Sequence, residues 1–407
     1  MVPAPVLIDS GWMGLGYQGR GFFANGLYWL FYNHDATNNW GYTWSADGSI
    51  WASYTNITTA AGMGSMAFTV VGTTVYYANG FTGNFRTGTL NGDGSITWVS
   101  AEVNTGVAGF GVTATIAIDS GGHAYIAWDT VTGVTILTNR TGLWTVDATI
   151  LRAGGPGGNV PHLVSLSGGL MGLLIGNFTG STLDVWRFNG VSWNQGTSTS
   201  LTYSSLYSDA KGNVVNGHDV IQCALEGISG GMNTGVNYIA YDNNTNIWSS
   251  PIAFTNNAWT YPTIMSIDGG AMAVGWTDYS TTSIVFTTSG DNGVFWSPKI
   301  GLAVSPTSNH PFNFAAFYSA SSVPQTYNII FDDSLLGEVF WMDAPLSLYT
   351  VIDTAHAIDF ITTNTSYIIV TDSATATDSI ILTFDLEQLT VRDKAYAVDI
   401  ISVARDV

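Results

Sequence analysis

Residues 287–297 read TTSGDNGVFWS. Within this stretch, Ser289, Asp291, Gly293 and Trp296 are residue types that build a tightly hydrogen-bonded turn. Serine and aspartate side chains accept backbone N–H bonds inside such turns, and glycine supplies the positive φ that other residues avoid. The tryptophan can bury a large apolar area beneath a hairpin. The stretch therefore predicts a structural turn between two strands, with contact to a ligand or partner as the alternative.

A tryptophan follows a turn-rich stretch five more times, at intervals of 46 to 55 residues. Each tryptophan comes 21 to 30 residues after the start of an apolar, strand-like segment. Four antiparallel strands in every 40 to 50 residues are typical of a β-propeller. The other tryptophans are Trp51, Trp98, Trp144, Trp193 and Trp248, and the apolar segments are 26–32, 74–80, 123–129, 170–176, 218–225 and 271–278.

A seventh unit extends over residues 312–343. Its Trp341 follows the preceding strand-like segment so closely that we place it in a third strand, which leaves the fourth strand missing in sequence order. The N-terminal segment 5–12 can supply that strand and close the ring, so that no free sheet edge remains. We therefore predict a seven-bladed β-propeller over residues 1–345, with six or eight blades as alternatives.

The composition supports an all-β fold. Of the 407 residues, 46% are hydrophobic and only 10% are charged, and the Lys and Glu that favour helices are scarce. A net charge of −19 with 10 Lys and Arg offers no basic face for nucleic acid. The single Cys223 excludes an intramolecular disulfide. The sequence has no apolar run for a transmembrane helix, and MVPAPVLIDSGW lacks the features of a signal peptide, so we expect neither.

The stretch at 289–296 resembles the Asp-box (BNR) repeats of sialidase-like propellers. The segment 45–51 matches the same pattern with one residue deleted, and 93–98 is a looser match. The resemblance covers roughly residues 1–345 and implies that the boxes lie at the outer rim, away from the central cleft. The residues assigned to structural boxes are Ser45, Asp47, Trp51, Asp93, Trp98, Ser289, Asp291, Gly293 and Trp296.

For a sialidase, this resemblance implies an arginine triad, a Tyr/Glu nucleophile pair and an Asp acid. Only Arg20 is expected near the axis, because Arg86 and Arg187 fall on third strands and Arg140 falls in a turn. Sialidase activity is therefore not expected, and no catalytic residue is assigned. A propeller glycoside hydrolase or polysaccharide depolymerase, which needs two carboxylates about 5–10 Å apart, is the enzymatic alternative.

A different repeat begins after residue 345. The pattern V-x-D-x-A-x-A-x-D-x-I occurs at 351–361, 370–380 and 391–401. The specified residues of this pattern occupy every second position, so in a single strand their side chains would point to one face. We predict a small β-repeat domain over 346–407 that serves attachment or oligomerisation, and the pattern resembles tandem repeats of phage tail and fibre proteins.

Stacking of these repeats would align Asp353, Asp372 and Asp393. Like charges side by side are unfavourable, so either the strand order separates them or a cation lies between them. The sequence leaves two interpretations open, a calcium site and a row of solvated carboxylates, and it predicts no other cofactor.

These features favour a non-enzymatic virion surface or tail-fibre-type protein, located on the virion or outside the cell. The propeller would bind a host-surface glycan or a protein, and the C-terminal repeats would bind other virion or assembly proteins in an oligomer. A glycan-degrading enzyme and a purely structural decoration or filament protein without a ligand are the alternatives. Ligand contacts are expected where loops enter first strands or leave second strands, at Tyr17, Arg20, His34, Asp129, His162, Tyr261 and Asp278.

Overall fold

β-Strands form almost all the regular structure of the computed structural model. The structure describes residues 5–12, 19–34, 37, 39–58, 66–80, 82–99, 101–106, 114–130, 133–152, 159–177, 183–199, 203–227, 234–266, 272–278, 283–302, 311–319, 326–333, 338–345, 348–353, 360–362, 367–372, 379–383, 390–393 and 400–404. Within these ranges the one helical element is a 3₁₀ turn, Ser167–Gly169. The predicted all-β fold is confirmed.

Twenty-nine strands are described up to residue 345. They are β1 (Val6–Trp12), β2 (Gly21–Ala24), β3 (Leu27–His34), β4 (Asn39–Ser45), β5 (Thr55–Thr58), β6 (Met66–Val71), β7 (Thr74–Asn79), β8 (Asn84–Leu90), β9 (Ile96–Trp98), β10 (Val103–Asn104), β11 (Ala114–Ile118), β12 (Ala124–Thr130), β13 (Gly133–Thr138), β14 (Thr145–Leu151), β15 (Asn159–Ser165), β16 (Met171–Asn177), β17 (Leu183–Phe188), β18 (Trp193–Gln195), β19 (Tyr203–Val215), β20 (His218–Gly227), β21 (Thr234–Asp242), β22 (Ile247–Trp248), β23 (Ile252–Ser266), β24 (Met272–Asp278), β25 (Ser283–Ser289), β26 (Ile300–Leu302), β27 (Pro311–Ser319), β28 (Thr326–Asp333) and β29 (Glu338–Pro345).

These strands form five hydrogen-bonded sheets among the described residues, and the predicted β-propeller is confirmed. Three sheets hold four or five strands each, and two hold eight. In one eight-stranded sheet, the long strand β23 pairs with β21 through its first half and with β24 through its second half, so it joins two four-stranded units. In the other, the parallel pairing of β2 with β27 joins two units. Dividing both large sheets at these strands gives seven units, and the count of seven blades stays a prediction.

The ring closes where the N-terminal strand completes the last unit. β1 pairs antiparallel with β29, from Val6 opposite Trp341 to Ser10 opposite Glu338. The end of β1 then pairs with β3, with Gly11 opposite His34. We call this double pairing of β1 the seam. The predictions that segment 5–12 supplies the missing strand and that Trp341 lies in a third strand are confirmed.

The hydrophobic core lies between successive units, because alternate residues of a strand face opposite sides of its sheet. In β11, Ile116 and Ile118 pack in a cluster with the preceding unit, whereas Ala117 packs in a cluster with the following one. In β12, Trp128 and Tyr125 are divided in the same way. Both faces of these strands are therefore buried against neighbours.

After residue 345 the strand pairing changes from antiparallel to parallel. β30 (Leu348–Asp353), β32 (Tyr367–Asp372) and β34 (Thr390–Asp393) form one sheet, and β31 (Phe360–Thr362), β33 (Ser379–Thr383) and β35 (Ile400–Ala404) form another. The chain thus alternates between two sheets, one strand in each per repeat. The change coincides with the predicted boundary, although the division into two domains stays a prediction.

Each C-terminal repeat contributes to two strands in different sheets, so its pattern positions do not lie in a single strand. Each first-sheet strand ends at the first aspartate of its repeat, and the next described strand belongs to the other sheet. The alternation of residue types along the chain is the same whether a repeat forms one strand or parts of two strands. It does not reveal the crossover that connects parallel strands of one sheet. The later aspartate of each repeat lies outside the described residues.

The alignment of the first aspartates is present in the backbone register. Asp353 lies opposite Asp372, and Asp372 lies opposite Asp393, in neighbouring parallel strands. Neighbouring strands are about 4.8 Å apart, so the three positions form one row across the sheet. Calcium at this row stays a prediction.

We predict that Asp9→Ala weakens the seam. The Tyr32 hydroxyl, in a fully buried side chain, donates a 2.6 Å hydrogen bond to Asp9 Oδ2, and the alanine variant leaves that hydroxyl without its acceptor. We expect the free energy of unfolding to fall by about 1–3 kcal/mol, measured by urea denaturation. Adding Tyr32→Phe to Asp9→Ala removes the orphaned hydroxyl and should recover part of the loss. A stability unchanged by Asp9→Ala would contradict this role.

Candidate functional site

A cavity of about 240 Å³ lies where the first strands of five successive units meet, which in a propeller is the central channel. It is partly open to solvent, and we call it the axial cavity. Its volume is below the roughly 300–1,000 Å³ of drug-sized ligand pockets, so it suits a small ligand or one end of a larger one. It is lined by Gly19, Phe22, Phe68, Thr69, Val70, Thr115, Ile116, Ala117, His162, Leu163, Val164, Ser165, Asp209, Ala210, Lys211 and Gly212.

The walls of the axial cavity are held in place by hydrogen bonds between units. The Leu163 N–H donates to Thr115 Oγ1 at 3.3 Å, and the Ser165 hydroxyl donates to the Ile118 carbonyl at 2.5 Å. Both bonds join β15 to β11. The hydroxyl groups on this wall are therefore fixed in position before any ligand binds.

The charged groups of the cavity are two residues apart on β19, and they point to the same side of the strand because its side chains alternate. Asp209 is 2% exposed, and its Oδ1 lies 3.5 Å from Lys211 Nζ. Burial lowers the pKa of the Lys211 ammonium, and the nearby Asp209 charge opposes this shift.

Asp209 also joins its unit to the next one. Its Oδ2 accepts hydrogen bonds from the Thr263 hydroxyl at 2.9 Å and the Ile264 N–H at 3.1 Å, both from β23. Its Oδ1 accepts from the Ala210 N–H at 2.9 Å. The carboxylate is thus stabilised by three neutral donors besides Lys211.

Sequence reasoning missed Asp209 and Lys211. The signal was present, because a charged pair interrupts the otherwise uncharged first strand of its unit in YSSLYSDAKGNVV (203–215). No periodic pattern marks such a pair, and the partners Thr263 and Ile264 lie more than 50 residues away in the chain.

Among the predicted ligand residues that the structure describes, His162 lines the axial cavity. Arg20 is fully buried, donates to the Met66 carbonyl at 2.8 Å and lies 4.5 Å from the centroid of the Trp40 ring. It therefore joins the first two units instead of facing the cavity.

The other predicted ligand residues are spread over different units. His34 Nε2 lies 3.7 Å from Asp9 Oδ2 at the seam. Asp129 is buried near the end of β12, and Asp278 ends β24. Tyr17 lies outside the described residues, and so does the side chain of Tyr261, whose backbone is in β23. The structure does not bring His34, Asp129 and Asp278 into one site.

The described arginines also occupy separate places. Arg86 lies over the Trp98 ring, 4.7 Å from its centroid, and Arg140 lies at the same distance from the Phe188 ring centroid. Arg187 donates to a carbonyl of the next unit. These contacts hold the outer strands and turns of different units.

The turn at 289–296 has the hydrogen bonds that its sequence predicts. Ser289 Oγ donates to Asp291 Oδ1 at 2.7 Å and accepts the Gly293 N–H at 2.9 Å. Asp291 Oδ1 accepts the Phe295 N–H at 2.9 Å, and Trp296 Nε1 donates to the Gly293 carbonyl at 3.0 Å.

The segment 45–51 forms the same turn with one residue fewer. The Gly48 N–H donates to Ser45 Oγ, and the Ser49 N–H donates to Asp47 Oδ1, both at 2.8 Å. Trp51 Nε1 donates to the Gly48 carbonyl at 2.9 Å. We call these two turns, and the looser one at 93–98, the box turns.

The glycine of each box turn lies against an aromatic ring from the third strand of the preceding unit. Each has a positive φ, between 77° and 88°, and a Cβ at the position would overlap the ring. The pairs are Gly48 with Trp341, Gly94 with Trp44, and Gly293 with Tyr238. The box turns therefore connect successive units, which supports the structural assignment of their residues.

No group of three or more His, Cys, Asp or Glu side chains that could hold a metal ion occurs in the described part of the chain. Nor do the described ranges contain a helix that is long and apolar enough to span a membrane.

No protein-family model and no curated protein matches this sequence. Among solved structures, hydrazine synthase from Kuenenia stuttgartiensis is similar with a TM-score of 0.54 at 10% identity, covering 81% of this chain and 96% of that one. The fucose-specific lectin from Aleuria aurantia matches with a TM-score of 0.46 at 14% identity, covering 66% and 86%. A Lactobacillus plantarum protein matches with a TM-score of 0.47 at 12% identity, covering 70% and 84%. The first likeness concerns the fold alone, and the other two TM-scores are too low to carry an argument.

We predict that Asp291→Ala destabilises the fold by about 1–2 kcal/mol, because backbone N–H groups of the turn lose their acceptor. Chemical denaturation measures the change. Asp291→Asn keeps an oxygen acceptor and should cost less. Equal stability of wild type and the alanine variant would contradict the structural assignment of the box turn.

The box turns also predict a dependence of stability on pH. Hydrogen bonds from the Ser49 N–H, the Ser49 hydroxyl and the Ile50 N–H hold the pKa of Asp47 below its usual value. A carboxylate with a lowered pKa in the folded state stabilises the fold above its unfolded pKa of about 3.9, and the effect is lost as pH falls through the folded pKa. We therefore expect Asp47→Asn to lower the melting temperature at neutral pH.

The difference between wild type and Asp47→Asn should then shrink as pH falls below about 4. Melting curves recorded across this range provide the comparison. A difference that stays constant down to the lowest pH would show that the Asp47 charge contributes nothing.

Proposed function

We propose that this chain is a non-enzymatic binding protein of a virion surface or tail fibre, located on the virion or outside the cell. The propeller binds one end of a host-surface glycan in the axial cavity, and the C-terminal repeats attach the protein to an assembly. The single observation that carries this proposal is the axial cavity, a small polar space with hydroxyl groups that hydrogen bonds hold in position.

The chemistry of the cavity wall supports a glycan ligand. A sugar presents many hydroxyl groups, each of which both donates and accepts, and the wall offers Thr69, Thr115 and Ser165 hydroxyls together with the Lys211 ammonium. The small volume admits a terminal sugar and not a long chain. Binding by a few fixed polar groups in a concave site is how proteins orient small ligands.

Binding without cleavage is supported by the carboxylates. Glycoside hydrolases generally need two carboxyl groups about 5–10 Å apart, one of them free to exchange protons. Among the described residues that line the cavity, Asp209 is the single carboxylate, and it accepts three hydrogen bonds from neutral donors. No arginine is among the described residues that line the cavity, so the triad that the sialidase resemblance implies is not assembled there.

The C-terminal sheets support a role in attachment. Within the described residues, β34 and β35 lie at the edges of their parallel sheets, and an edge strand offers backbone groups for pairing with another chain. The row of Asp353, Asp372 and Asp393 is the place where we propose that calcium binds during assembly.

A glycan array tests the binding proposal, with fluorescently labelled full-length protein as the reagent. We expect a defined set of glycans to bind, and an assay for new reducing ends on the same glycans to give no signal. Release of reducing ends would support the depolymerase instead. Absence of both binding and cleavage would favour the purely structural alternative.

A matched pair of variants connects any binding to the axial cavity. Thr69→Trp places a large side chain in the cavity, whereas Thr73→Trp adds the same side chain at an exposed turn of the same unit. We expect the first variant to weaken glycan binding by at least about tenfold and the second to leave it unchanged. Equal binding by both variants would place the glycan site elsewhere.

A further inference from the structure

The axial cavity contains a lysine in an unusual setting. The chain has three lysines, and among the described residues Lys211 lines the cavity. Its side chain retains 23% of its exposure, so small molecules in the cavity can reach it. Lys299 is exposed on a loop after the box turn at 289–296, and Lys394 lies outside the described residues.

The acidic partner of Lys211 is a weak counterion. Asp209 Oδ1 lies 3.5 Å from Lys211 Nζ, longer than the 2.7–2.9 Å of a good charge-assisted hydrogen bond. Two backbone N–H groups and the Thr263 hydroxyl already donate to the same carboxylate. The two oxygens of Asp209 are therefore shared between Lys211 and three neutral donors.

The other titratable group on the cavity wall is His162, from β15. Asp209 is the one carboxylate among the described residues that line the wall. A lysine amine that is desolvated in a pocket becomes a nucleophile toward carbonyl groups.

We propose that Lys211 is a nucleophilic amine that captures a small aldehyde or ketone in the axial cavity as an imine. The Nζ lone pair forms a bond to the carbonyl carbon, and the amine protons pass to the carbonyl oxygen, with Asp209 placed to relay one of them. That oxygen then leaves as water while the C=N bond forms. Nothing is oxidised or reduced, and the bond is reversible by hydrolysis.

This inference goes beyond the proposed glycan binding and does not depend on it. Burial of the ammonium, which lowers its pKa, increases the fraction of free amine at neutral pH in comparison with an exposed lysine. The cavity also holds the carbonyl compound beside the amine. Lys211 lies in the cavity wall, whereas Lys299 is exposed on a loop.

Reductive trapping tests the proposal on the full chain. Acetaldehyde and sodium cyanoborohydride at about pH 6 convert any imine into a stable ethylated lysine, at a pH where ordinary lysines are almost fully protonated. Mass spectrometry of a digest then follows Lys211 and Lys299 separately. We expect Lys211 to be labelled about tenfold faster than Lys299, because burial lowers the pKa of its ammonium.

The opposite order overturns the proposal. A lysine that is merely buried is labelled more slowly than an exposed one, so equal or faster labelling of Lys299 shows that Lys211 is structural. In denaturant both lysines should react at the same rate, since the cavity is then lost.

Thr69→Trp and Thr73→Trp again provide a matched pair. With the cavity filled by Thr69→Trp, labelling of Lys211 should fall to the rate of Lys299 or below, while Thr73→Trp leaves it fast. Fast labelling in the filled variant would refute the role of the cavity. If the protein binds glycans but Lys211 is not labelled fast, this proposal fails and the proposed function stands. If Lys211 is labelled fast but no glycan binds, the proposed function fails and this proposal stands.

Discussion

The constraint on which the propeller depends is that its central strands are buried on both faces. In β12, Trp128 packs toward one neighbouring unit and Tyr125 toward the other, because successive side chains alternate. A single unit would therefore expose an apolar face on each side. Only a closed ring covers every such face. Because the pairing of β1 with β29 closes the ring, it contributes to the burial of apolar faces as well as forming its own few hydrogen bonds. Without it, the cluster that contains Leu30, Tyr32 and Trp341 would lose part of its cover.

Contacts at the rim and at the axis fix how one unit sits against the next. At the rim, a box-turn glycine lies under an aromatic ring of the preceding unit, as Gly94 does under Trp44. At the axis, the Asp209 carboxylate accepts hydrogen bonds from Thr263 and Ile264 of the following unit. The same buried carboxylate therefore sets the spacing of two units and the environment of Lys211. A substitution of Asp209 would thus change both the contact between the units and the environment of Lys211.

Much of the fold could be predicted because its signals are local and repeated. The recurring tryptophans and apolar segments marked the units, and the missing fourth strand pointed to segment 5–12. The C-terminal repeat was less informative, because a shared parity is equally compatible with one strand and with two strands in different sheets. Arg20 was correctly placed near the first unit's inner strand, but its burial against Trp40 depends on a contact that no local pattern encodes. Lys211 was missed although its partner Asp209 is close in sequence, since no periodic pattern marks such a pair and the other partners of Asp209 come from the next unit.

The seam has a consequence for the time course of synthesis. Ser10 leaves the ribosome early, but its partner Glu338 follows roughly 330 residues later. At about 5–20 residues per second, the N-terminal strand waits on the order of tens of seconds without its partner. During that interval its backbone groups form an open edge that can pair with the wrong chain. Slow translation or crowding by nascent copies should therefore reduce the yield of closed rings more than it would for a fold whose neighbours in space are neighbours in sequence.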